Sequence, residues 1–148
     1  MITVTVNEAK LRELADELGI RKDIVIEVID SDTPGISARL KGDALHQHIR
    51  LVVGRAEQFA DRLMFAHNEI VRTLLHEVKH VQQFQNWTRE MWERDKLYSY
   101  GVSPAEAEAN EFAADNVHKW RSIITVKRPM KSRLSKLSSA EQNVRKSR

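Results

Sequence analysis

The chain has 148 residues, 41% hydrophobic and 30% charged, with a formal net charge of +3 and no cysteine. That length suits one domain with one core, and the missing cysteine excludes disulfides, thiolate zinc sites and cysteine nucleophiles together, leaving His, Asp or Glu to hold any metal. No apolar run approaches the roughly 18 residues a membrane span needs and no secretory signal is legible, so a cytoplasmic protein without membrane contact is expected.

The charge is unevenly spread. Residues 121–148 carry nine Lys or Arg against one acid, Glu141, a net +8, while residues 1–120 carry 15 basic and 20 acidic residues, a net −5. The basic character therefore belongs to the end of the chain. That end is Ser-rich and poor in large apolar residues from about Lys127, the composition of a disordered tail. The division expected is one folded domain over 1–122 and a basic tail over 123–148.

In chain order, Ile2–Val6 alternates β-branched residues and reads as a short strand. Asn7 can cap a following helix whose apolar stripe is Leu11, Leu14, Ala15 and Leu18, with Gly19 as its stop. Asp23–Asp30 is a second strand, and Ser31–Gly35 has turn composition. Ile36–Gly42 and His46–Val53 read as two more strands. The segment from Arg55 to Asn68 is a loop or short helix. From Asn68 to about Gln85 the spacing of Val71, Leu74, Leu75, Val78 and Phe84 is helical. A further helix is expected from Trp87 to about Gly101, with Trp87, Trp92 and Trp120 as core residues. The last helix starts with Ser103 as cap and Pro104 in its first turn, and buries Ala105, Ala109, Phe112, Ala113 and Trp120. A small sheet of three to four strands with one helix, followed by a helical half, is an α+β arrangement.

The helix from Asn68 contains His76-Glu77-Val78-Lys79-His80. Residues four apart share a helix face, so His76 and His80 can direct ring nitrogens at one ion. Glu77 leans to the same side and is placed to take a proton from a metal-activated water, the reason H-E-x-x-H recurs in zinc peptidases. A catalytic zinc site takes three protein ligands and keeps a position open. Continuation of the motif to a third His fails, because Gln83 and Asn86 stand where Gly and His are needed. The Ala-rich helix carries Glu106, Glu108, Glu111 and Asp115, and among these Glu106 is favoured as third ligand. Its rival role is local: Ser103-Pro104-Ala105-Glu106 is also a capping box. Candidates for stabilising a developing oxyanion are Tyr98, Tyr100 and His118. His46, His48 and His67 are read as structural or surface residues.

H-E-V-K-H followed by Glu106-Ala107-Glu108-Ala109-Asn110-Glu111-Phe112-Ala113-Ala114 resembles the small gluzincin metallopeptidases, and most closely the ImmA/IrrE-like group. The resemblance spans roughly residues 68–115. It implies a minimal gluzincin fold, one zinc ion per chain held by His76, His80 and Glu106, Glu77 as general base, and Asn110 supporting a ligand histidine. It also implies that the strand before the motif helix, His48, Ile49, Arg50, Leu51, Val52 and Val53, is a sheet edge that receives an extended substrate. Lys79 departs from the small residue common at that position, which requires it to face outward. The function expected is zinc-dependent hydrolysis of a protein or peptide substrate. The alternative is an inactive, zinc-braced binding protein whose basic tail contacts nucleic acid or an acidic partner. No aromatic residue is interleaved with the tail's charges, which argues against base stacking.

Overall fold

In the computed structural model, residues 3–30, 35–42, 46–54, 63–99 and 102–127 are described. They form, in order, β1 (Thr3–Val6), α1 (Glu8–Glu17), β2 (Asp23–Asp30), β3 (Ile36–Gly42), β4 (His46–Val53), α2 (Leu63–Asn86), α3 (Arg89–Asp95), α4 (Pro104–Asn116), a 3₁₀ turn (Arg121–Ile123) and β5 (Ile124–Lys127). The α+β class follows from this order. Tyr100, the turn residues 31–34, most of the segment from Arg55 and the basic residues 128–148 lie outside the described residues.

Local signals set the first elements. Asn7 caps α1 by accepting the Lys10 N–H at 3.1 Å, and Gly19 ends it at φ +67°, a conformation open to glycine at low cost. β2 runs from Asp23 to Asp30, the stretch its alternation indicates.

The strand order is β2-β4-β3, with β4 parallel to β2 and antiparallel to β3. β4 is thus the centre of the sheet, which corrects its expected role as the substrate edge. Its inward residues explain the placement: Ile49, Leu51 and Val53 are 0–2% exposed, a degree of burial suited to a strand flanked on both sides. The edges are β2 and β3, and β3 packs against α2.

A second correction concerns the end of the domain. β5 pairs antiparallel with β1, Val4 opposite Val126 and Val6 opposite Ile124, and the Asn7 N–H donates to the Ile123 carbonyl. Ile123 and Ile124 are buried in the common core. Folded structure therefore continues to Lys127, past the boundary at 122, because two β-branched pairs lie immediately before the basic segment.

α2 is the axis of the molecule. Ile70, Val71, Leu74, Leu75, Val78 and Val81 are 0–1% exposed, and the helix packs on β3, β4, β5 and α4. It begins at Leu63, five residues before the expected start. Phe84 does not join its buried stripe and is exposed. On α4, Ala105, Ala109 and Ala113 are 0–3% exposed, so small side chains let the two helices approach closely. Among the described residues no helix is long and apolar enough to cross a membrane.

Candidate metal centre

The α2–α4 contact brings three polar side chains together. His76 and His80 lie one turn apart on α2, their rings edge-to-face with centroids 4.6 Å apart. Their Nε2 atoms are 3.0 Å from each other. Glu106, in the first turn of α4, reaches both: Oε2 is 3.0 Å from His76 Nε2 and Oε1 is 3.0 Å from His80 Nε2. The capping box is only half formed. Ser103 accepts the Glu106 backbone N–H at 3.3 Å, while the Glu106 carboxylate turns to the histidines. One residue thus serves its helix through its backbone and the cluster through its side chain.

The fit to a metal ion can be tested on the donors themselves. Four-coordinate zinc at 2.0–2.1 Å from nitrogen or oxygen places its ligand atoms about 3.3 Å apart. Here the two ring nitrogens lie 3.0 Å apart and each lies 3.0 Å from one Glu106 oxygen, close to that spacing. Orientation agrees as well. Gln83 Nε2 donates to the Ala105 carbonyl at 3.0 Å and to Glu108 Oε1 at 3.2 Å. That leaves Gln83 Oε1 to accept from His80 Nδ1 at 2.7 Å. In the neutral ring the proton is then on Nδ1, and Nε2 presents its lone pair to the cluster. Asn110 lines a cavity together with His76 and acts on the His76 ring from α4. Burial, and then the neighbouring His80, push the His76 ring below its ordinary value and favour the neutral form a metal needs; Glu106 and Asn110 oppose them. His76, His80 and Glu106 together fit a cation with nitrogen and oxygen ligands.

Glu77 lines the same cavity without joining the ligand set. Burial pushes its carboxyl up to about 7, the His80 charge pulls it down and Glu106 raises it again. A carboxyl near neutrality can both accept and return a proton.

The cavity over the cluster has a volume of about 580 Å³. Its walls are Ala38, Arg39 and Leu40 of β3, the α2 residues through Phe84, and Trp92, Asp95, Lys96 and Tyr98. Thus β3, not β4, borders the cluster, and its far side is a sheet edge among the described residues. His48 and Arg50 are exposed on the central strand and are not cavity residues. Of the oxyanion candidates, Tyr98 lines the cavity. His118 does not: it lies beyond the far end of α4, which runs on for about 15 Å past Glu106 at 1.5 Å per residue. Lys79 does not face outward either. Its side chain is 16% exposed, 3.8 Å from Glu108 Oε1 and over the Phe112 ring at 5.1 Å. Its charge is thereby used in the helix contact.

In the sequence Gln83 stands only where the longer histidine motif fails, yet it is 1% exposed and orients His80. The signal for this role is its position, three residues after His80 on a helix. Trp87 and Trp92 are half-buried rather than core, unlike Trp120 at 6% exposure. His67, read as structural, is within hydrogen-bond distance of the Arg121 carbonyl through Nε2 at 2.7 Å. The chain matches no protein-family model, and no curated protein or solved structure is significantly similar to it.

Proposed function

We propose that this protein is a zinc-dependent metallopeptidase of the minimal gluzincin type, with one ion per chain. The observation that carries the reading is the convergence of His76 Nε2, His80 Nε2 and both Glu106 oxygens at 3.0 Å, with Glu77 beside them in an open cavity. A bound zinc ion supplies Lewis acidity and makes a water molecule easier to deprotonate. The chain's own groups do the rest. Glu77 takes the proton of the attacking water and hands it to the leaving amine. Among the described residues β3 is a sheet edge, which suits pairing with an extended peptide. Tyr98, which lines the cavity, is the candidate donor to a developing oxyanion.

An ion that only braced two helices would require neither an unliganded Glu77 nor an open side, since structural zinc is usually closed by four protein ligands. Metal analysis of the purified chain and of Glu106→Ala tests the ligand set. The expected result is about one zinc per chain for wild type and loss of the metal in Glu106→Ala, with Glu111→Ala unchanged. Glu77→Gln should keep its zinc and lose peptide hydrolysis by a factor of at least about 10². A metal-free wild type, or full zinc retention by Glu106→Ala, would refute the assignment.

A further inference from the structure

The apolar side chains left in solvent are not scattered. Of the eight large hydrophobic residues exposed among the described residues, five lie between positions 84 and 102: Phe84, Met91, Leu97, Tyr98 and Val102. Single exposed apolar residues are ordinary, whereas a local concentration marks a contact site.

Phe84 is the informative member. It follows His80 by one helical turn and His76 by two, so the three project from the same side of α2. Its ring stacks on Trp92 with centroids 5.0 Å apart and planes at 20°, and Trp92 meets Trp87 at 4.8 Å. Stacking fixes the ring from one side, yet Phe84 remains 54% exposed. Phe84 and Trp92 line the same cavity as His76, Glu77, His80 and Glu106, opposite Ala38–Leu40 of β3.

We infer that Phe84 and Trp92 form a subsite for a large apolar or aromatic side chain of the peptide held at the metal centre. The inference rests on the peptidase reading and names its substrate preference. The spacing supports this occupant. One helical turn carries Phe84 about 6 Å beyond His80 along the axis. Side chains on one face of an extended peptide repeat at about 6.6 Å. A residue within two positions of the bond at the cluster therefore reaches the Phe84 ring. Phe84, Trp92 and Tyr98 also line the cavity itself, as a substrate subsite must and a separate docking face need not. Discrimination arises because a benzyl or isobutyl group is removed from water against Phe84 and Trp92, while a glycine has nothing to bury.

The test uses the zinc-loaded full chain and two zinc-directed probes, N-acetylphenylalanine hydroxamate and N-acetylglycine hydroxamate, titrated by calorimetry. The phenylalanine probe should bind about tenfold tighter or better. Phe84→Ala should bring the ratio to about one while retaining its zinc, and Phe84→Leu, which restores an apolar wall, should recover most of the ratio. Equal affinities in wild type, or an unchanged ratio in Phe84→Ala, overturn the inference. So does a wild-type dimer in sedimentation that Phe84→Ala dissolves, because the occupant is then a second copy of the chain. Failure of the peptidase reading looks different: a chain without zinc in metal analysis, which removes both.

Discussion

Glu77 makes a prediction in the metal-free protein that is independent of catalysis. Its carboxyl is pushed up to about 7, first by burial, from an ordinary value of 4.5. The folded state therefore keeps a proton that the unfolded chain has already released. The resulting stability is fully present below about pH 4.5 and is lost as pH rises through about 7. Between pH 5 and 8, metal-free wild type should lose on the order of 2 kcal/mol relative to Glu77→Gln, read from urea denaturation. His76 is shifted the other way, so its contribution is lost as pH falls below 6.5, but both proteins share it and the comparison removes it to first order. Equal pH dependence in the two proteins would remove the case for a buried, proton-accepting Glu77. Gln83 and Asn110 are tested in a similar spirit. Gln83 fixes the His80 ring from behind and Asn110 lies beside His76, so Gln83→Leu and Asn110→Ala should weaken zinc binding by about 10–100-fold without removing a ligand. A chelator competition titration measures this, and unchanged affinity in both would mean that the rings are oriented by packing alone.

At the scale of elements, the cluster depends on how closely α4 approaches α2. Ala109 is fully buried at that contact, one turn from Glu106, whereas Ala107 is exposed on the same helix. Ala109→Leu should cost about 1–3 kcal/mol by overpacking and should also lower zinc affinity, because the helices must separate to admit the side chain. Ala107→Leu should change stability by no more than about 0.5 kcal/mol and leave zinc binding alone. Thermal unfolding and metal titration of the pair decide it. The same scale shows what sequence can carry. Helix spacing sets His76 and His80 on one face, and the alanines mark the contact that brings Glu106 to them, because both are local or one-contact properties. Strand order is neither. Nothing within His46–Val53 states whether another strand joins its far side, so β4 reads as an edge although it lies between β2 and β3. Lys79 misleads for a related reason: its charge indicates solvent, but Glu108 and Phe112 come from another helix to receive it.

For the whole molecule, the decisive non-local contact joins the two ends of the described fold. β1 has four residues and exposes alternate side chains, so it gains little by itself. Pairing with β5 places Val4 and Val6 over the core that Ile123 and Ile124 enter, and that core is shared with α2. Closing the molecule in this way holds the floor beneath the motif helix: the His67 ring nitrogen lies 2.7 Å from the Arg121 carbonyl, just before β5. The basic charge of the C-terminal segment conceals this function in the sequence, because Ile124–Lys127 runs directly into it. A chain ending at Lys127 should retain the cooperative unfolding and zinc content of the full-length protein. A chain ending at Ser122 exposes core surface that Ile123 and Ile124 otherwise fill, and at about 1.5–3 kcal/mol per buried aliphatic side chain it should lose about 3–6 kcal/mol. Against a typical domain stability of about 5–15 kcal/mol, that loss lowers the unfolding midpoint sharply and weakens zinc binding through the altered seating of α2. Equal unfolding midpoints for the two truncations would show that β5 is dispensable and would restore the domain boundary at 122.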